Sequence, residues 1–190
     1  MVLMLGTGCF LVLVLLSIMS LYQWGHAILA ISSKKSASNQ RSARTTRFLI
    51  LIPAHNEEDG LPETLKSLST IQYPKDLVHI AVIADRCADD TAKVARAGGA
   101  QCLERSEGPG GKGAAMSWAM QVLRNEGTLF DALVIVDADC LADLHLLEAF
   151  DDALAKGHEV QQGYNYLSNP WETPFTRVIA VTSVLRNFLF

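Results

Sequence analysis

From Phe48 onward, short continuous apolar runs alternate with segments of helical periodicity, and no other feature constrains the fold as much. The runs are "FLILIP" (48–53), "LVHIAVIAD" (Leu77–Asp85), the weaker "AQCLER" (100–105) and "ALVIVDAD" (132–139). Each reads as a strand buried on both faces, because apolar residues fill consecutive positions instead of every second one. The intervening segments read as helices. One opens near Gly60–Pro62, with Leu61, Leu65 and Leu68 on a single face. "DDTAKVARAGG" offers an aspartate cap and a double-glycine stop. In "KGAAMSWAMQVLRNEG", residues Ala115, Trp118, Ala119, Val122 and Leu123 share a face up to Gly127. "DLHLLEAFDDALAKG" predicts a helix capped by Asp143 and stopped at Gly157, "EVQQGYNY" a fifth strand, and "TPFTRVIAVTSVLRNFLF" a final helix. Strand and helix in this order predict a doubly wound, mostly parallel α/β sheet.

Ligands of such sheets bind outside the carboxyl ends of the strands. Three acidic clusters fall there: "PAHNEED" after the first strand, "DRCADD" after the second and "DADC" after the fourth. Taken singly, the first could be a solvated turn and the second a helix cap with an Asx turn. Packing explains all three on one rim poorly. The first turn is not GxGxxG, so a dinucleotide pyrophosphate lacks its glycine cradle. "SEGPGGKG" fails the GxxxxGK[ST] phosphate loop, having Ser106 and Gly113 at the two ends. It remains either a plain surface loop or one that delivers Lys112, a point charge suited to phosphate.

Asp137 and Asp139 stand two apart in extended chain, so their side chains point the same way and can approach one hard cation. Two carboxylates plus substrate phosphates suit Mg2+ or Mn2+. The alternative, two aspartates capping the next helix, is weakened by Asp143, which already suits that cap. A nucleoside diphosphate bound through a divalent metal is therefore expected.

The flanks add a membrane context. Residues 1–33 contain no Asp, Glu, Lys or Arg, and Cys9–Ile31 reaches the roughly 20 apolar residues that span a bilayer. Residues 1–31 are expected to form one transmembrane helix with Tyr22 and Trp24 near an interface. A cleaved signal peptide is the alternative, but the start lacks a basic region. Residues 32–47 carry five basic and no acidic residues and read as a cytoplasmic linker near anionic headgroups. The remaining eleven Lys and Arg face all twenty Asp and Glu, a formal net of −9 over residues 48–190. Such a domain is a poor partner for nucleic acid. Cys9, Cys87, Cys102 and Cys140 are scattered, so neither a disulfide framework nor a zinc site is expected.

"ILIPAHNEE", "VIADRCADDT", "GGKGAAMSWA" and "ALVIVDADC", in this order, resemble the donor half of family 2 glycosyltransferases over about Arg47 to Phe190. The nearest flavour is the membrane-bound synthases of cellulose, hyaluronan and poly-N-acetylglucosamine. The resemblance implies a GT-A fold of the nucleotide-diphospho-sugar transferase type. It implies Pro53, Ala54, His55, Asn56 and Glu57 as a first nucleotide-contacting turn, with Glu57 near the ribose. It places Asp85 at the uracil ring of a UDP-sugar, and Lys112 and Gly113 beside the diphosphate and sugar. Asp137 and Asp139 become a DxD pair for diphosphate and metal.

The resemblance further implies inverting transfer to a saccharide in polysaccharide synthesis at the plasma membrane. The protein would be single-pass with a cytoplasmic catalytic domain, and further synthase subunits are candidate partners. A polyprenyl-phosphate sugar transferase shares the donor motifs. Departures from the family pattern define a third reading. No "ED"-like motif for a general base and no "QxxRW" motif follows "LSNPWETPF". The sheet is thus expected to be incomplete at its C-terminal side, with the acceptor half missing. The chain would then be a membrane-anchored nucleotide-sugar-binding remnant or subunit. Asp143, Glu148 and Glu172 are candidate bases by elimination only.

Overall fold

The computed structural model describes residues 13–22 and 43–189. The chain divides into two compact units, Arg41–Gln161 and a second formed by Met1–Gln40 with Gln162–Phe190.

Residues 41–161 hold the sheet. Strand β1 (Phe48–Ala54) pairs with β2 (Val78–Asp85) on one side and β4 (Ala132–Ile135) on the other; β3 (Gln101–Arg105) pairs with β2. All three ladders are parallel, and the order is β3-β2-β1-β4. The chain builds outward from β1 to β3 and then returns to the far side of β1. The order therefore reverses between β1 and β4, the point where an open parallel sheet leaves a crevice at its carboxyl edge.

Helices pack on both faces of the sheet, but the edge strand β4 is buried on one face only, contrary to its reading as a doubly buried strand: Leu133 and Ile135 are 40% and 49% exposed. Calling the helical stretch at residues 13–22 α1, the domain contributes α2 (Leu61–Ser69), α3 (Thr91–Ala97), α4 (Lys112–Asn125) and α5 (Leu146–Ala155). On one face Phe48, Ile50, Ile52, Val82 and Val134 pack with Leu61, Leu65 and Leu68 of α2, Ala95 of α3 and Leu147 of α5. On the other, Leu49, Leu51, Ala81, Ile83 and Leu103 pack with Ala115, Ala119 and Leu123 of α4. Alternate residues of β1 feed the two cores, so this strand is dry on both sides. The start of α3 has the aspartate that was expected. Asp89, not Asp90, accepts the Thr91 backbone N–H at 3.1 Å.

The expected fifth strand is not formed. Residues 158–166 make no ladder, and Val160 is 94% exposed. "EVQQGYNY" has the alternation of a strand, but a strand exists only through a partner's backbone, and here the Gln161 side chain donates to the Phe150 and His158 carbonyls instead. In the second unit, α6 (Pro174–Leu189) forms where a final helix was expected. The expected membrane span Cys9–Ile31 lies largely outside the described residues. Among those described, no helix is long and apolar enough to cross a membrane.

Residues 43–47, the end of the basic segment, are tied to the domain. Arg44 donates to Asp151 and Asp152, Thr46 to Asp151, and the Tyr73 hydroxyl to the Thr46 carbonyl at 3.1 Å. Burial, followed by the Asp151 carboxylate, pushes the Tyr73 phenol up to about 12 from an ordinary 10.0. The folded state thus holds this proton more tightly than the unfolded one. Its stabilisation is complete below about pH 10 and fades as pH rises toward about 12. Ultraviolet titration should show one of the four tyrosines ionising together with loss of the fold in that window. Tyr73→Phe should flatten the alkaline arm of the stability curve; an unchanged arm would contradict the assignment.

Candidate functional site

The turns after β1 and β2 lie side by side at the carboxyl edge and are bound into one platform. Just beyond Ala54, which is buried at the end of β1, His55 donates from Nδ1 to the Asp85 carbonyl at 2.7 Å. Asn56 takes a left-handed φ of 57°, a conformation its short polar side chain tolerates, and accepts the Ala88 N–H at 2.7 Å. The Glu57 N–H reaches Thr91 Oγ1 at 2.8 Å, and Glu58 exchanges hydrogen bonds with the Asp89–Asp90 segment. Asn56, Glu58 and Asp89 are therefore mainly structural, which is the turn-and-cap reading of those clusters. Pro53 and Ala54 sit inside the β1 ladder opposite Ile83 and Ala84.

Asp85, the last residue of β2, is different. Its Oδ1 accepts from Arg105 and its Oδ2 from Arg86, both at 2.8 Å. Burial alone would push this carboxyl up, but the two guanidiniums outweigh it and hold Asp85 below the ordinary carboxylate range. The Arg105 side chain is 4% exposed, and its other arm donates to the Pro109 carbonyl at 2.6 Å. Arg86 has φ 53°, unusual for a long side chain, with its N–H tied to the Arg105 carbonyl at 2.7 Å. A Cβ on Gly110 would lie 3.2 Å from Arg86 Nη1. The two arginines thus hold the glycine-rich loop down against the end of β2.

After β4 the Val136 N–H still reaches the Leu51 carbonyl at 3.2 Å, but the chain then turns at residues 138–139, with the Cys140 N–H on the Asp137 carbonyl at 3.1 Å, so the pair does not lie in the extended chain that was expected. Val136 and Ala138 are buried, and Asp137 and Asp139 are exposed on either side of Ala138. Buried Thr64 of α2 donates to the Ala138 carbonyl at 2.7 Å, which fixes the pair's height above the sheet. Lys112, the first residue of α4, donates to Asp137 Oδ1, and Gly113 follows it in an open position. Gly60 lies between the first turn and the pair: a Cβ there would be in ordinary contact with Glu57 Oε2 at 3.5 Å and the Asp139 Cα at 3.7 Å. Glu57, Asp137, Asp139 and Lys112 therefore gather where the strand order reverses.

Among the described residues no three His, Cys, Asp or Glu side chains are grouped to hold a metal. Asp137 and Asp139 supply hard oxygen donors, a donor set that fits Mg2+ or Mn2+ completed by a ligand's phosphates. The adjacent Cys140 thiol adds no thiolate, because burial and the carboxylates of Asp139 and Asp137 push it up. The candidate bases are engaged locally. Asp143 accepts the His145 N–H at 2.8 Å, Glu148 pairs with His145 Nδ1 at 2.7 Å, and Asn169 donates to Glu172 in the other unit. Sequence reasoning missed Arg86, Arg105, Gly60 and Thr64. An arginine closing β3 beside an aspartate closing β2 was the one available signal.

A family model described as "Glycosyltransferase like family 2" matches residues 46–184. The chain is 33% identical over 144 residues to the 4,4'-diaponeurosporenoate glycosyltransferase of Staphylococcus haemolyticus, covering 72% of this chain and 37% of that protein. It is 44% identical over 45 residues to the probable glycosyltransferase YdaM of Bacillus subtilis, covering 24% and 11%. The chain thus spans well under half the length of these relatives. Among solved structures, the mannosyltransferase PcManGT of Pyrobaculum calidifontis, in complex with GDP-Man and Mn2+, superposes with a TM-score of 0.57 at 18% identity, over 80% of this chain and 44% of that one. TarS of S. aureus, in complex with UDP-GlcNAc, gives 0.51 at 21% identity, over 59% and 32%. At these identities the likeness is one of fold.

Proposed function

The chain belongs to glycosyltransferase family 2, and we propose that it takes a UDP-sugar as donor, held through Mg2+ or Mn2+ at Asp137 and Asp139. The observation that carries this reading is the gathering of Glu57, Lys112, Asp137 and Asp139 at the one edge of the sheet where its order reverses. The nucleotide-sugar and Mn2+ contents of the PcManGT and TarS structures support it by analogy of fold. On this reading Asp85, held as a carboxylate by Arg86 and Arg105, lies at the uracil ring. His55 and Asn56 hold the turn, and Glu57 faces the ribose. Lys112 and the open backbone at Gly113 meet the diphosphate. A bound divalent cation would neutralise charge developing on the UDP leaving group. The acceptor hydroxyl would attack the anomeric carbon from the opposite face, with inversion. The proposed acceptor is a saccharide, in polysaccharide synthesis.

Calorimetry is expected to show UDP binding in the presence of Mn2+ and its loss when EDTA removes the metal. Equal binding in both conditions would refute the reading. A second reading, a nucleotide-sugar-binding module without turnover, is favoured by the local engagement of Asp143, Glu148 and Glu172. Sustained product formation from labelled UDP-sugars excludes it, and label extracted into organic solvent instead identifies a polyprenyl-phosphate acceptor. The proposed setting is the cytoplasmic face of the plasma membrane, with residues 1–31 as anchor and 32–47 as basic linker. It rests on the uncharged first 33 residues and the five basic residues that follow.

A further inference from the structure

The ammonium of Lys112 rests on Asp137, one of the two carboxylates assigned to the cation. We propose that Lys112 makes this site select the metal–nucleotide complex over the bare cation. The inference rests on the reading of Asp137 and Asp139 as the metal pair, and it concerns binding affinities alone.

Lys112 is kept in place by what precedes it. Arg105 donates to the Pro109 carbonyl at 2.6 Å, so the loop entering α4 is fastened three residues before the lysine, with Arg86 close by Gly110. A bare divalent cation approaching Asp137 must displace the ammonium or sit beside it, like charge against like. A cation already chelated by a nucleoside diphosphate arrives in an anionic complex. Lys112 can then exchange Asp137 for a phosphate oxygen and keep an anionic partner throughout, as a compact, rotatable donor allows. The same side chain therefore opposes one ligand and favours the other.

The size of the effect follows from exposure. The Lys112 and Asp137 side chains are 48% and 55% exposed, and a pair this wet moves an affinity by no more than about 5-fold. The signs therefore carry the test. The full chain is titrated with Mn2+ alone, following the free ion by electron paramagnetic resonance, and with UDP at saturating Mn2+ by calorimetry. Lys112→Met is expected to tighten Mn2+ alone and to weaken UDP, each by about 2- to 5-fold. Lys112→Arg, which keeps the charge, should leave both near the parent values. Mn2+ affinity that is unchanged or weaker in Lys112→Met overturns the proposal. So does absence of Mn2+ binding by either protein across the millimolar range, since there is then nothing for Lys112 to suppress. In those cases a UDP affinity that still requires Mn2+ and Asp139 leaves the donor reading intact, whereas metal-independent UDP binding removes the donor reading itself.

Discussion

Asp139→Ala is expected to abolish the metal-dependent part of UDP binding, raising the Kd measured in Mn2+ by about 100-fold or more, while leaving the melting temperature within a few degrees of the parent. The reason is the separation of roles along "DADC". Ala138 carries the structural load through its buried position and the hydrogen bond from Thr64 to its carbonyl, whereas Asp139 faces outward. Removing its carboxylate deletes one of the two carboxylates assigned to the cation, so the ligand phosphates lose half of the proposed protein clamp. Asp139→Asn, which keeps the shape and loses the charge, should follow the alanine variant and not the parent. Asp137→Ala should also weaken binding, but less cleanly, because it frees Lys112 as well. Calorimetry with and without Mn2+ on all three variants decides the matter. An Asp139→Ala protein that binds UDP as the parent does would end the assignment of this pair to a metal.

The second large effect lies beneath the site. Arg105→Met should destabilise the fold by about 3 kcal/mol, read as a lower urea midpoint at constant slope. Arg105 and Asp85 form an ion pair whose side chains are only 4% and 10% exposed. Truncating one partner leaves a buried carboxylate to be compensated by the more exposed Arg86 alone. Adding Asp85→Asn should recover much of the loss, since the stranded charge is then gone. A double variant no more stable than the single would show that packing, not charge, dominates. The pH dependence has a defined sign. Asp85 is held below its ordinary value of 3.8, so its stabilisation is present above that value and disappears as pH falls through the lower folded-state value. The Asp85 contribution to the acid arm of the stability curve should therefore flatten when Arg105 is removed, because the folded-state value then moves back toward the unfolded one. Loss of UDP affinity should accompany the loss of stability, because the loop held by Arg105 leads directly into Lys112.

The two networks explain why some site residues could be read in advance and others could not. Asp137 and Asp139 were legible as two carboxylates ending an apolar strand, but the extended chain expected to align them gives way to a turn at residues 138–139. Lys112 was legible as a charge behind a glycine-rich loop, though not its partner, 25 residues away. His55 and Asn56 were expected at the ligand, and the structure gives their side chains a prior duty in tying one turn to the next. Arg105 left almost no trace in a weak strand, since an arginine ending a short apolar run reads as a solvated terminus. Only the ladder between β2 and β3, which pairs Asp85 with Arg105, turns it into a buried counter-ion.

What the amino-acid sequence determined by itself is whatever has a short period. That includes the mostly consecutive apolar residues of β1, β2 and β4, the helices between the strands, and the stops at Gly99, Gly127 and Gly157. These follow from side-chain direction and backbone sterics within a few residues, which no distant contact need supply. The tertiary structure decided the rest. It set the strand order β3-β2-β1-β4, placed Glu57 against the Asp139 segment across Gly60, and seated Lys112 on Asp137. It also left residues 158–166 without a ladder despite their alternation. Each of these depends on which chain segments meet, and that is settled by burying both faces of one sheet at once, a condition no local stretch of sequence contains.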